Sequence, residues 1–199
     1  MKPNGDFYAM LFRMKDIDRW SLMYNTKPET LAEHSMQCAL IAHALATIGR
    51  CKFGKTYSAE KICSAALLHD MSEILTGDLP TPVKYYNDEI RTAYKKIEAV
   101  AEKQLLATLE DDIRPAYEAL IDLGAEEHAV VKAADKLCAY LKCLQEEARG
   151  NPEFASAKET IRKALDASPL SELQYFREHY LGSFTKNLDE IRLSGVTEG

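Results

Sequence analysis

The 199-residue sequence has no run approaching the roughly 20 apolar residues that span a bilayer, no C-x-x-C pair and a single tryptophan. Nor does it carry a surplus of positive charge. Each absence removes a class of protein. Without a long apolar run there is no membrane-spanning helix to expect. The opening "MKPNGDFYAMLFRMKDIDRW" carries acids early and no uninterrupted apolar segment, so it does not read as a signal peptide. The formal charge of −6 argues against a nucleic-acid binder built on a broad basic face. It leaves small phosphorylated substrates open, because one arginine or one metal ion can hold those. The cysteines Cys38, Cys51, Cys63, Cys138 and Cys143 are odd in number, and most sit in apolar helical patterns such as "EHSMQCALIAHAL". They read as reduced thiols of a cytoplasmic protein. Sustained period-two alternation is also missing, so strands are not expected.

What is present is a 3.6-residue apolar period through most of the chain. It predicts helices over about 6–14, 30–48, 58–75, 87–108, 111–123, 126–149, 152–166 and 170–192. Thr30-Leu31-Ala32-Glu33, after Pro28, is a capping box, and Ser58 suits an N-cap. Gly49 suits the end of the second helix. "GDLPTPVKYYN" cannot stay helical for long, given Gly77, Pro80 and Pro82. With no internal repeat, low-complexity segment or long linker, the expectation is one all-α bundle of about six to eight helices over residues 1–199. The helical part from about 150 to 192 would pack on the rest.

Each helical residue advances the azimuth by about 100°. His34 falls on one stripe with Cys38, Ile41, Leu45 and Ile48. His69 and Glu73 share a face with Ile62, Ala65 and Ala66, with Asp70 on its shoulder. Asp135 lies beside the stripe Val130, Ala134, Leu137, Leu141 and Leu144. Two histidines and two aspartates from three helices thus sit on or beside core-facing stripes. Taken singly, a core histidine more often hydrogen-bonds a carbonyl, and Asp135 next to Lys136 could be an ordinary surface acid. Adjacent His-Asp within an apolar helix is harder to dismiss. Mixed imidazole and carboxylate ligands suit a Lewis-acidic divalent ion. His43, His128 and His179 read as structural or surface residues.

The order His34, His69-Asp70, Asp135 resembles the HD-domain metal-dependent phosphohydrolase superfamily. "DRW" at 18–20, "EHS" at 33–35, "HDMSEILTGDLPTPVKY" at 69–85 and "KAADKLCAYLKCLQEE" at 132–147 closely resemble the bacterial YfbR-type 5′-deoxynucleotidases. The resemblance spans nearly the whole chain, more loosely after about 150. It implies a cytoplasmic, homodimeric enzyme that hydrolyses deoxyribonucleoside 5′-monophosphates with one divalent ion, Co2+, Mn2+ or Cu2+. It implies His34, His69, Asp70 and Asp135 as metal ligands, with Asp70 and Asp135 also touching substrate. Arg19 would grip phosphate. Glu73 would orient or deprotonate the attacking water, or relay a proton; the alternative is an acid that only orients a ligand. Trp20 would wall off the sugar 2′ position. Asp78, Leu79, Pro80 and Thr81 would form the substrate loop, with Asp78 bonding a sugar hydroxyl or assisting the leaving oxygen. Base contacts are not evident, which implies broad tolerance of the base, and neither nucleic acid nor membrane is implied as a partner.

Two other readings stand beside this one. Another phosphohydrolase of the superfamily, acting on a cyclic nucleotide or a nucleoside triphosphate, would keep the metal ligands; for the triphosphate more cations than Arg19 and Lys84 would be expected. A catalytically dead nucleotide-binding scaffold would lack at least one ligand.

Overall fold

The computed structural model describes residues 5–84 and 86–191, and among these no strand is present beyond one isolated bridge between Asp18 and Thr30. The protein is all-α, as its periodicity predicts. Helix α1 (Phe7–Leu11) tightens into a 3-10 turn over Phe12–Asp16, followed by a non-helical loop. Helix α2 (Leu31–Phe53) begins at the capping box: Glu33 N–H donates to the Thr30 hydroxyl, and Thr30 N–H donates to the Glu33 carboxylate. Such a cap stabilises a helix start by about 1 kcal/mol. It fixes the first turn, and so the direction of His34.

Helix α2 does not stop at Gly49. It continues to Phe53 and closes on Gly54 at φ 65°, a left-handed value that glycine adopts without Cβ strain. Gly49 is retained inside the helix for a packing reason: a Cβ there would lie 2.8 Å from a ring carbon of Tyr57. The helix expected over 58–75 is likewise not continuous. Helix α3 (Ala59–Leu68) ends, His69 to Ser72 form turns, and the short α4 (Glu73–Thr76) follows. Met71 N–H donates to Leu68 O and Glu73 N–H to Asp70 O, three-residue closures that replace the α pattern. Both sides of the break stay apolar, so the periodicity runs across it.

Helices α5 (Thr81–Lys84), α6 (Asp88–Leu106), α7 (Arg114–Ile121) and α8 (Ala125–Ala148) follow. A 3-10 turn over Pro152–Phe154 then leads into α9 (Ala155–Asp166) and α10 (Ser171–His179). The expected last helix is therefore shorter. After His179 the chain forms 3-10 turns over Leu181–Thr185 and Leu188–Glu190, and residue 192 lies outside the described residues.

The main core joins α2, α3 and α8, with Leu165 of α9 and Leu173 and Phe176 of α10 closing it. Burial of each fully enclosed side chain such as Leu45, Ile62 or Leu137 stabilises the fold by about 1.5–3 kcal/mol. A second cluster gathers Phe7, Leu68, Met71, Leu105, Leu106 and Leu109. The break at 69–72 sits between the two clusters. Cys38, Cys138 and Cys143 are buried, whereas Cys51 is exposed on the outer side of α2.

Candidate metal centre and substrate cleft

His34 lies in the first turn of α2 and is fully buried. His69 and Asp70 open the break after α3, and Asp135 sits midway along α8. His69 Nδ1 lies 2.7 Å from Ala66 O, so it donates and leaves Nε2 as the free nitrogen. His34 Nε2 is 3.2 Å from Asp135 Oδ1 and 3.7 Å from Asp70 Oδ2. His69 Nε2 is 3.1 Å from Asp70 Oδ2 and 3.9 Å from Asp135 Oδ1. One donor atom each from His34, His69 and Asp70 falls within 4.8 Å of the others.

These separations fit a divalent ion. Ligands about 2.0–2.2 Å from a metal stand about 3.0–3.5 Å apart at neighbouring corners. Neither nitrogen of His34, nor Nε2 of His69, makes a hydrogen bond, and all three are buried. Buried imidazole nitrogens seldom go without a partner, and coordination would provide one for each Nε2.

The electrostatics agree. Burial works against a charged His69, but Asp70 and Asp135 outweigh it and hold its pKa well above the ordinary value. Burial also opposes ionisation of Asp70 and Asp135, yet His69 holds the first carboxyl below its usual range, and His34 and His69 hold the second well below. Such a cluster retains positive charge at its centre, as a proton or as a metal ion.

Arg19 reaches this centre from the loop after the first 3-10 turn. Its Nε lies 3.3 Å from Glu29 Oε2 and its Nη1 3.3 Å from Asp70 Oδ2. Its Nη2 makes no hydrogen bond among the described residues. Burial disfavours the guanidinium, but Asp70, Asp135, Glu29 and Asp78 together raise its pKa and keep it charged. Glu29, itself buried, is a partner that no sequence signal singles out.

Trp20 is the one non-glycine residue with positive φ among the described residues, at 57°. For an L-residue this conformation costs about 1–2 kcal/mol, so its surroundings must impose it. Trp20 N–H donates to Asp78 Oδ2 at 3.3 Å. The Trp20 carbonyl accepts from Met23 N–H and from Asn25 Nδ2. Its ring meets Phe154 edge to face at 5.4 Å. Asp78 follows Gly77, whose φ of 72° and ψ of 162° are accessible essentially to glycine alone. Leu79 and Pro80 are half-buried beside it, and Thr81 opens α5; the Thr81 side chain lies outside the described residues.

Glu73 opens α4 and is buried, with Oε1 3.7 Å from Lys84 Nζ and Oε2 without a partner. Burial, together with the negative Asp70 and Asp78, pushes its pKa up to about 8 against the pull of Lys84. Lys84 is held more closely by Glu98, at 2.7 Å.

His69, Asp70 and Asp135 line a cleft of about 290 Å³ whose other walls include Glu102, Ile121, Leu123, His128 and Lys132. His128, which the sequence reads as structural or surface, lines this cleft. Lys132 adds a cation that the sequence, with Arg19 and Lys84 as its visible local cations, did not disclose.

A family model described as 5′-deoxynucleotidase YfbR-like matches residues 6–184. A 5′-deoxynucleotidase of Shewanella oneidensis is 50% identical over 187 residues, covering 92% of this chain and 96% of that protein. The 5′-deoxynucleotidase YfbR of Salmonella paratyphi B is 50% identical over 188 residues, covering 93% of this chain and 94% of the relative. Among solved structures, an HD-domain phosphohydrolase from Listeria innocua superposes with a TM-score of 0.79 at 22% identity, covering 90% of this chain and 88% of the other. A cyanophage S-2L HD phosphohydrolase bound to dA and one catalytic Zn2+ ion gives a TM-score of 0.62 at 22% identity, over 88% of this chain and 96% of that one. The model match and the two half-identical relatives, set on this geometry, place the chain in the YfbR-like 5′-deoxynucleotidase family.

Proposed function

We propose that the protein is a 5′-deoxynucleotidase, converting deoxyribonucleoside 5′-monophosphates to deoxyribonucleosides and phosphate, with selection against ribonucleotides and broad base tolerance. The observation that carries this reading is the convergence of His34, His69, Asp70 and Asp135 beside a part-buried, permanently charged Arg19. The four ligands would hold one divalent ion, Co2+, Mn2+ or Cu2+. Such an ion, when bound, activates water and neutralises phosphoryl charge.

The remaining steps belong to the chain itself. Glu29 and Asp70 hold the Arg19 fork from two sides and leave Nη2 for a phosphate oxygen. Glu73, with its raised pKa and open Oε2, is suited to accept a proton from an attacking water or pass one on. Asp78 already fixes the Trp20 backbone through Oδ2, which leaves its other oxygen for a sugar hydroxyl or the leaving 5′-oxygen. Leu79, Pro80 and Thr81 are assigned with Asp78 to the substrate loop. Trp20 stands as a wall where a ribose 2′-hydroxyl would clash and find no partner.

The whole chain acts as one domain in this reading, cytoplasmic and homodimeric. Free thiols support the location, and none of the described helices is long and apolar enough to cross a membrane. Exposed Leu22, Tyr24, Met36 and Leu40 leave apolar area for a second copy. The test of sugar selection is Trp20→Ala: turnover of adenosine 5′-monophosphate should rise toward that of the deoxy substrate, with metal content unchanged. Unaltered discrimination in a metal-loaded variant would remove the wall.

A further inference from the structure

At the far end of α8 from the metal ligands, Glu146 is fully buried. Its carboxylate accepts five hydrogen bonds. Thr26 N–H and Thr26 Oγ1 donate to Oε2 at 3.0 and 2.6 Å, as does Asn151 Nδ2 at 2.8 Å. Lys142 Nζ and Lys27 N–H donate to Oε1 at 2.5 and 3.3 Å. The partners then bond onward into the same loop: Lys142 Nζ to Lys27 O at 2.6 Å, and Asn151 Nδ2 to Tyr24 O at 2.8 Å.

Nothing in the proposed chemistry uses this cluster. A buried ion pair is weak evidence of stabilisation, because well-packed apolar residues often serve as well or better. What is particular here is where the bonds go. Both backbone N–H groups that reach Glu146 (Thr26 and Lys27) and both backbone carbonyls tied to its partners (Tyr24 and Lys27) belong to residues 24–27. That segment closes the turn in which Met23 N–H and Asn25 Nδ2 bond the Trp20 carbonyl. Its other end is held by the Asp18–Thr30 bridge. Asn151 also caps the 3-10 turn that carries Phe154, the ring against which Trp20 rests, and Lys142 Nζ lies over that ring, 5.4 Å from its centre. Asp135 and Glu146 are eleven residues apart on one rigid helix, about 16 Å along its axis.

We infer that Glu146, with Lys142 and Asn151, is a positioning device that fixes the Trp20 loop relative to the metal centre and so sets discrimination between deoxyribose and ribose. This rests on the sugar-wall reading of Trp20. Glu146 touches no reacting atom; it acts through the loop backbone.

The chain's only tryptophan reports the loop directly. Glu146→Gln turns one acceptor oxygen into an amide that faces donors. Thr26→Val removes a single donor at constant shape, and Thr26→Ser restores it. With divalent-loaded protein, we would measure helix content, metal stoichiometry, Trp20 emission with acrylamide quenching, and kcat/KM for deoxyadenosine and adenosine 5′-monophosphates. Expected for Glu146→Gln are normal helix and metal content, a red-shifted and more quenchable Trp20, and a deoxy-to-ribo ratio lowered about tenfold. Thr26→Val should move in the same direction by less, and Thr26→Ser should return to wild type. In a Trp20→Ala background, Glu146→Gln should lower the ratio no further, because both act through the same ring.

An unchanged emission and ratio in folded, metal-loaded variants would overturn the inference, as would additive effects in the Trp20→Ala background. If Glu146→Gln fails to fold, Thr26→Val decides. Equal turnover of both sugars by the wild type would instead refute the sugar wall, while the emission shift would still report whether Glu146 holds the loop.

Discussion

Gly49→Ala sets two effects of opposite sign against each other. Gly49 lies inside α2, where alanine is the better helix former by about 1 kcal/mol, and on propensity alone the change stabilises. The structure predicts otherwise. The new Cβ would stand 2.8 Å from Tyr57 Cε2 and 3.0 Å from Cδ2, closer than real contacts allow. Tyr57 is buried, and its hydroxyl donates to Glu172 Oε1 at 2.9 Å. Glu172 is fully buried, and its other oxygen has no partner. Moving the ring therefore incurs an overpacking cost of about 1–3 kcal/mol. It also weakens a bond to a buried acid worth about 1.5–3 kcal/mol. After subtracting the propensity gain, the net destabilisation is about 1.5–5 kcal/mol, or about 3–20 °C in Tm for a chain of this size. Calorimetry or urea unfolding measures it, and Gly49→Ala should cost less in a Tyr57→Leu background, where the new Cβ meets no ring. Because Gly49 and His34 stand at opposite ends of α2, metal content and turnover per folded molecule should not change. A variant as stable as wild type, or more so, would refute the claim that Tyr57 and Glu172 form a rigid contact.

Other outcomes follow from the same geometry. Asp135→Ala should remove stoichiometric divalent metal and metal-dependent turnover, read by elemental analysis and phosphate release, and full activity would take Asp135 out of the site. Arg19→Lys keeps the charge but loses the fork that joins Glu29 and Asp70, so kcat/KM should fall about 10- to 100-fold, whereas a change within twofold would leave Arg19 with no phosphate role. Glu146 gives a pH signature. Burial opposes its charge, but bonds from Lys142, Thr26 and Asn151 hold its carboxyl below the ordinary range. A folded-state pKa below the unfolded value, about 4.3, contributes stability that is present above that value and lost as pH falls through the folded one. Urea unfolding of metal-free protein between pH 6 and pH 3 should therefore show a steeper loss for wild type than for Glu146→Gln, and parallel curves would contradict the assignment.

Much of the helical layout was legible because its signals are local. The Thr30–Glu33 capping box marks the start of α2 and is formed as written. The boundaries that moved did so for tertiary reasons. Gly49 reads as a stop until Tyr57 is known to occupy the space a Cβ would need. The break at His69–Ser72 leaves no mark in the period, because apolar residues on both sides reach a core. The polar residues on core-facing stripes do meet: helix phase turns His34 and Asp135 toward each other, and the break after α3 brings His69 and Asp70 beside them. Their partners were not readable. Glu29 looks like an ordinary acid before a helix cap, and Glu146 sits in "LQEE", which reads as the solvated end of a helix. Only the return of the chain from residue 24 to residue 151 buries Glu146 and surrounds it with donors. His128 and Lys132 of α8 share the cleft with Glu102 of α6 and Ile121 of α7, a placement that no spacing encodes.

The most direct test of the central claim is phosphate release from deoxyadenosine and adenosine 5′-monophosphates, assayed in parallel with added cobalt and with chelator. The account predicts cobalt-dependent release from the deoxy substrate, little from the ribo substrate and none with chelator. Release that persists in chelator, or none from either substrate with cobalt bound, would contradict it.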